Sequence, residues 1–238
     1  MTKDFNVRET TSEAWLTFEQ LDNTATYNLA ALAPRYGIGG ADLSSTTDLT
    51  CATMLFMVPD DAHIYVMQMY WIPEDLLERR EAEDRVPYAL WREQGLLRTC
   101  PGNQIDYRQV ADWFREVQDE HGIYLAAFGY DAWSAVYFIK EMETNFGSYG
   151  MEKVIQGKYT LSAPMKALGA DLEAKIINYN NNPILKWCLS NTSIDVDKND
   201  NIQPSKGRSQ TRRIDGMASL LDAYVAFCRH REEYLNLI

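Results

Sequence analysis

Residues 51–72, CATMLFMV then PDDA then HIYVMQMYWI, constrain the fold more than any other part of the chain. Two apolar runs, rich in aromatic and thioether side chains, flank the turn chemistry of Pro59-Asp60-Asp61. So short a connection cannot hold a crossover, so the two runs pair as antiparallel strands. Both alternating faces of the second run are mostly apolar, the pattern of a strand covered on both sides. A sheet buried on two faces needs helices above and below it, which places the chain in an α/β class.

The rest of the chain supplies those helices. Residues 11–22 read as a short amphipathic helix with Trp15, Phe18 and Leu21 on one side, and Tyr36–Leu43 as a glycine-rich strand. Pro73 opens a charged helix, PEDLLERREAEDR, with proline at the favoured first position and acids in the first turn. Residues 105–121 form a helix on Val110, Trp113, Phe114 and Val117, closed by Gly122. The run IYLAAFGY (123–130) is a nearly continuous apolar strand ending on Asp131, and a helix, AWSAVYFIKEMETNF, follows at once. Next come a strand at KVIQG, a helix around Ser162–Tyr179, a strand in CLSNTSIDVD and a basic turn or hairpin, KNDNIQPSKGRSQ. A last helix begins near Arg213, with Ile214, Met217, Ala218, Leu221, Val225 and Cys228 on one apolar face. Three meandering strands followed by alternation predict a ribonuclease-H-like mixed sheet flanked by helices on both faces, a pattern other α/β folds share. Residues 1–35 are expected to be a linker and short helical lead-in, and 36–238 the domain proper.

Composition removes several function classes. With 238 residues, the chain can bury a substantial core. No apolar run approaches the ~18 residues of a membrane span, and the amino terminus lacks the apolar core of a signal peptide. An intracellular protein is expected. Cys51, Cys100, Cys188 and Cys228 are far apart and form no C-x-x-C or Cys/His cluster, so they predict reduced, mostly buried thiols. The net charge of −11 opposes general affinity for polyanions. Its distribution is uneven, however: Lys198, Lys206, Arg208, Arg212 and Arg213 stand against the single acid Asp200 in that strip.

The stretch YGIGGADLSSTTDLT (36–50) could be a phosphate cradle or a strand presenting a carboxylate. A P-loop needs Lys-Ser/Thr after its last glycine. Here Gly40 is followed by Ala41-Asp42, whose charge would repel phosphate, and Leu43–Thr47 disfavours the helix that a dinucleotide fingerprint requires. The carboxylate reading has company. Asp131 also ends a buried-looking strand, and Asp215 lies in the first turn of the last helix. Each has a plainer reading, as a turn former, helix cap or dipole partner. Three such aspartates can converge, and hard oxygen donors without a Cys/His cluster select Mg²⁺ or Mn²⁺. Asp48 is a candidate fourth ligand at the rim. Asp222, seven residues beyond Asp215 and ~10 Å along the helix, reads as a helix-surface acid. Asp195 and Asp197 read as exposed acids beside the basic turn. His63, His121 and His230 fall outside every motif, and with no histidine near Ser44 or Ser45 a serine nucleophile has little support.

The segments GGADLSSTTDLT, VPYALWREQGLLRTCPGNQIDY, AAFGYDAWSA, NNNPILKWCLSN and NDNIQPSK…RRIDGMASLLDAY, in this order, resemble the nuclease domain of HK97-like phage terminase large subunits. The resemblance runs from about Phe5 to near Val225. It implies a divalent-metal-dependent endonuclease that cuts concatemeric double-stranded DNA during genome packaging in the host cytoplasm. It maps the family's acidic ligands onto Asp42, Asp131 and Asp215, and a family lysine onto Lys206. On that reading two Mg²⁺ or Mn²⁺ ions serve phosphodiester hydrolysis. Lys198, Lys206, Arg208, Arg212 and Arg213 are expected to contact DNA phosphates without reading sequence. The implied partners are a packaging ATPase domain, a portal and a terminase small subunit, with no membrane. No G-x-x-x-x-G-K-[ST] motif occurs, so these residues cannot drive ATP-dependent translocation. The competing readings are a non-catalytic docking module of the packaging motor, or a related resolvase or transposase of the same fold.

Overall fold

The computed structural model describes residues 14–44, 49–131, 136–209 and 211–238. Two short helices, α1 (Phe18–Leu21) and α2 (Leu29–Leu32), precede three consecutive strands, β1 (Tyr36–Asp42), β2 (Thr50–Phe56) and β3 (Ile64–Pro73). A 3₁₀ turn leads into α3 (Leu77–Asp84), α4 (Tyr88–Glu93), β4 (Leu97–Cys100), α5 (Tyr107–His121) and β5 (Tyr124–Asp131). The second half alternates: α6 (Val136–Phe146), β6 (Met151–Val154), α7 (Lys158–Glu173), β7 (Ile177–Asn178) and α8 (Pro183–Asn191). A hairpin, β8 (Ser193–Val196) and β9 (Ile202–Ser205), then leads to the long helix α9 (Asp215–Leu235).

The main sheet has the order β4-β3-β2-β1-β5-β6, with β7 also on β3. β1, β2 and β3 form an antiparallel meander, the β2–β3 pairing as its short turn predicts, while β5 runs parallel to β1 and β6 parallel to β5. This mixed α/β sheet is the ribonuclease-H-like arrangement that the sequence predicts. Its faces are distinguished by the strand period of two. Ile38, Leu55, Val66 and Ala127 pack into a core with α7 and α9. Ala41, Met54, Phe56 and Phe128 pack on the other face with Val110, Trp113, Phe114 and Val117 of α5 and Phe138 of α6. Gly122, at φ 70°, closes α5.

Several elements differ from the sequence reading. α8 occupies residues 183–191, of which 188–191 were assigned above to a strand. Its start is fixed by Asn182, whose side chain accepts hydrogen bonds from the Ile184 and Leu185 amides, with Pro183 in the first turn. Among the described residues of 11–22 only the single turn α1 is helical. α9 is not apolar on one face alone, because residues 219–227 are buried all round. Cys228, by contrast, is exposed, whereas the other three cysteines are buried as expected. The lead-in from residue 14 is docked: the Tyr179 hydroxyl accepts from the Asn23 amide and donates to the Leu21 carbonyl, and Lys175 Nζ donates to the carbonyls of Glu19, Gln20 and Asp22.

Candidate active site

Asp42 and Asp131 end adjacent parallel strands. In the register Ala41 lies beside Tyr130, so the two aspartates follow at the same carboxyl edge. Alternation gives each the same face as the residue two before it, Gly40 and Gly129. Both glycines are covered by α9. A Cβ on Gly40 would stand 2.5 Å from the Ala223 amide nitrogen, and one on Gly129 would stand 2.0 Å from the Asp222 carbonyl oxygen. Both carboxylates therefore belong to the face that α9 crosses.

The direction of α9 brings Asp215 to the same edge. Its far end meets the start of β1, where the Tyr234 hydroxyl donates to the Tyr36 carbonyl. Its near end crosses β2 and β3: Ser219 Oγ lies 2.7 Å from Thr53 Oγ1, and Gln68 Nε2 donates to Thr53 Oγ1 and to the Gly216 carbonyl. Asp215 opens the helix and is 4% exposed. Just before it, Arg213 Nε binds Asp84 Oδ2 at 2.9 Å, with both side chains 4% exposed, and Tyr88 donates to the same carboxylate. Asn191 Nδ2 caps the Arg213 carbonyl. The segment that delivers Asp215 is thus clamped to α3, α4 and α8.

Two buried thiols report the field of these acids. Burial first, then the charges of Asp42 and Asp215, push the Cys51 thiol far up, with a hydrogen bond to Ser219 opposing. Cys188 is raised well above its ordinary range by burial and by the same two aspartates, Asp215 foremost. Both thiols stay protonated, so neither offers a soft thiolate. The donors left are hard carboxylates, a set that suits Mg²⁺ or Mn²⁺ rather than zinc. Among the described residues no three His, Cys, Asp or Glu side chains lie close enough together to hold an ion. The three aspartates share one edge and one face of the sheet without forming a closed cage.

The structure sorts the remaining candidates. Asp48 lies outside the described residues. Asp222 is not a helix-surface acid: it is 3% exposed, takes a 3.1 Å hydrogen bond from Gln156 Nε2, and lies in the field of Asp131. Burial foremost, and Asp131 with it, raise its carboxyl well above the usual range. A sequence signal existed, since it recurs two turns after Asp215. Arg213, expected to contact phosphates, is buried and turned inward against Asp84. Arg212 is partly buried and donates to Ser193 Oγ. Lys198 and Arg208 are exposed, and Lys206 is half-buried beyond β9. His230 lies on α9 between Glu152 and Glu233.

A family model described as "Terminase large subunit, endonuclease domain" matches residues 1–231. The chain belongs to that family. It is 30% identical over 187 residues to the terminase large subunit of Enterobacteria phage HK97, a match covering 79% of this chain and 36% of that protein. The crystal structure of the HK97 bacteriophage large terminase superposes with a TM-score of 0.76 at 26% identity, over 90% of this chain and 43% of that one. A large terminase nuclease from thermophilic phage G20c, crystallised with bound magnesium, superposes at 0.54 with 14% identity, over 90% of this chain and 98% of that one. This terminase-family chain therefore spans well under half of the HK97 protein. Among its described residues no helix is long and apolar enough to cross a membrane.

Proposed function

We propose that the chain is a divalent-metal-dependent endonuclease that hydrolyses double-stranded DNA, cutting concatemers in the host cytoplasm during packaging. The observation that carries this reading is the placement of Asp42 and Asp131 on neighbouring parallel strand ends beneath the helix that begins at Asp215. In the proposed roles Asp42, Asp131 and Asp215 would together hold two divalent cations, with Asp42 as the central ligand. Bound there, the ions would generate a hydroxide nucleophile and stabilise charge on the leaving oxygen. The protein's part is to hold three carboxylates at one edge while the positive end of α9 offsets their mutual repulsion. Cys51 and Cys188, kept neutral, add no further charge. Lys198, Lys206 and Arg208 are proposed to hold phosphates on one side of the site, with Arg212 in support through Ser193. The magnesium-bound G20c nuclease supports the choice of metal. An ATPase domain, a portal and a small subunit are proposed partners.

The test is Mg²⁺- or Mn²⁺-dependent nicking of plasmid DNA. Asp42→Asn, Asp131→Asn and Asp215→Asn are expected to abolish cleavage while circular dichroism stays that of the parent chain. Undiminished cutting in excess chelator would end the metal mechanism. A docking module without catalysis is the second reading, and the separation of the three carboxylates speaks for it. It gains the ground if wild type binds duplex but never cuts it with either metal.

A further inference from the structure

Among the described residues, five large apolar side chains are exposed between the β8–β9 hairpin and the start of α6, past the carboxyl end of β6. Ile155 directly follows Val154, the register partner of Asp131 on the edge strand β6, and is 62% exposed. Tyr159, in the first turn of α7 a few residues on, is 100% exposed. Val136 and Tyr137 open α6, the helix after β5, and Tyr137 is 87% exposed. Val196 is exposed at the end of β8. The hairpin meets this group, because Asp197 lies in the field of Lys158, Lys166 Nζ donates to the Asp200 carbonyl, and Ser162 Oγ accepts from the Ile202 amide. The five residues thus follow one arc from the hairpin, past the start of α7 and the end of β6, to the start of α6.

Lysines are interleaved with them. Lys158 precedes Tyr159, Lys140 lies one turn from Val136 and Tyr137 on α6, and exposed Lys153 and Lys198 lie at the ends of β6 and β8. Of the acids beside the arc, Glu141 lies in the field of Arg108 and Glu152 is bound by Arg229 and His230, while Asp195, Asp197 and Asp200 flank Val196 and Lys198 on the hairpin. On a body of charge −11, aromatic and aliphatic groups alternating with cations fit a nucleic acid, whose sugars and bases are apolar between phosphates. The position agrees. A duplex laid along the strand ends from Asp131 toward β6 comes over Ile155, the next residue after that aspartate's partner.

We infer that this arc is a second double-stranded DNA contact, in which Tyr137, Ile155 and Tyr159 press into a groove and the lysines hold the flanking phosphates. It rests on the nuclease reading and extends its footprint from Lys198 past the start of α7 and the end of β6 to α6. The experiment is fluorescence anisotropy of the full chain with a labelled duplex, in Ca²⁺ to prevent cutting, across a salt series. Tyr137→Ala/Tyr159→Ala, at positions too exposed to carry the fold, is expected to weaken binding about tenfold. The slope of affinity against salt should stay unchanged, because apolar contacts release no counterions. Lys158→Ala should instead flatten that slope by about one. Wild-type affinity in the tyrosine variant, as a protein partner for the arc would give, overturns the inference and leaves the nuclease reading intact. A wild-type chain that neither binds nor nicks duplex would instead sink the nuclease reading.

Discussion

Asp222 lies on the side of α9 that packs on β5, where burial disfavours a charged carboxylate. Its folded pKa is raised above the unfolded value of about 3.9, so the native state holds a proton that the unfolded chain releases. Stability on this account is lost as pH climbs from the unfolded value toward the folded one. Asp222→Asn keeps an acceptor for Gln156 Nε2 and removes the ionisation. The variant should be more stable than wild type at pH 8, by about 0.5–2 kcal/mol, with the gain fading near pH 4. Urea melts at three pH values test this, and a pH-independent difference refutes it. Arg213 shows the opposite economy, a charge kept buried by one partner. Arg213→Ala strands Asp84 in the interior and should cost about 3–5 kcal/mol in the same melts; a loss under about 1 kcal/mol, the range of a surface pair, would mean the pair is wetter than drawn. Sequence alone could not separate Arg213 from Arg208, since both lie in one basic strip and only the folded chain buries one of them. The positions of the three aspartates at strand ends and a helix start were legible because each sits at the boundary of an apolar element.

At the scale of elements, the contact between α9 and the sheet decides where the acids go. Gly40 and Gly129 let the helix backbone settle directly on β1 and β5. Gly129→Ala places a methyl group within 2.0 Å of a helix carbonyl, which no rotamer change can relieve. The predicted cost is about 1–3 kcal/mol or more, with nicking reduced beyond the loss of folded protein because α9 carries Asp215. Normal activity per folded molecule would show that the helix position does not set the site. Strands β1, β2, β3 and β5 and helix α5 were readable because long apolar runs and turn residues mark them locally. β4 was not: four residues, LRTC, become a strand only by pairing with β3. α8 was obscured because its asparagine cap sits inside the polar run NYNNNP. α9 reads as one-faced from its periodicity, yet β1, β2, α7 and α8 surround it, and long-range packing leaves no local trace. Asp222 was misread for the same reason.

For the molecule as a whole, the formal charge of −11 and a carboxylate edge built around Asp42, Asp131 and Asp215 give folding and ion binding the same electrostatic origin. Bringing these acids to one end of the sheet is unfavourable without counter-charge, and the unfolded chain has no comparable grouping. A divalent ion that binds the native state alone therefore raises stability by mass action, by about 2.7 kcal/mol at a hundred times its dissociation constant. For a chain of this size, each kcal/mol moves the melting temperature by about 2–4 °C. Mn²⁺ should thus raise it by about 5–10 °C at saturation, in a salt background that screens the general surface charge. In Asp42→Asn the shift should shrink to a small fraction, because that variant removes the proposed central ligand. Asp195→Asn, on the exposed face of the hairpin, should keep the full shift. Equal shifts in all three proteins would mean that the ion neutralises the acidic surface at large and that the strand ends hold no site.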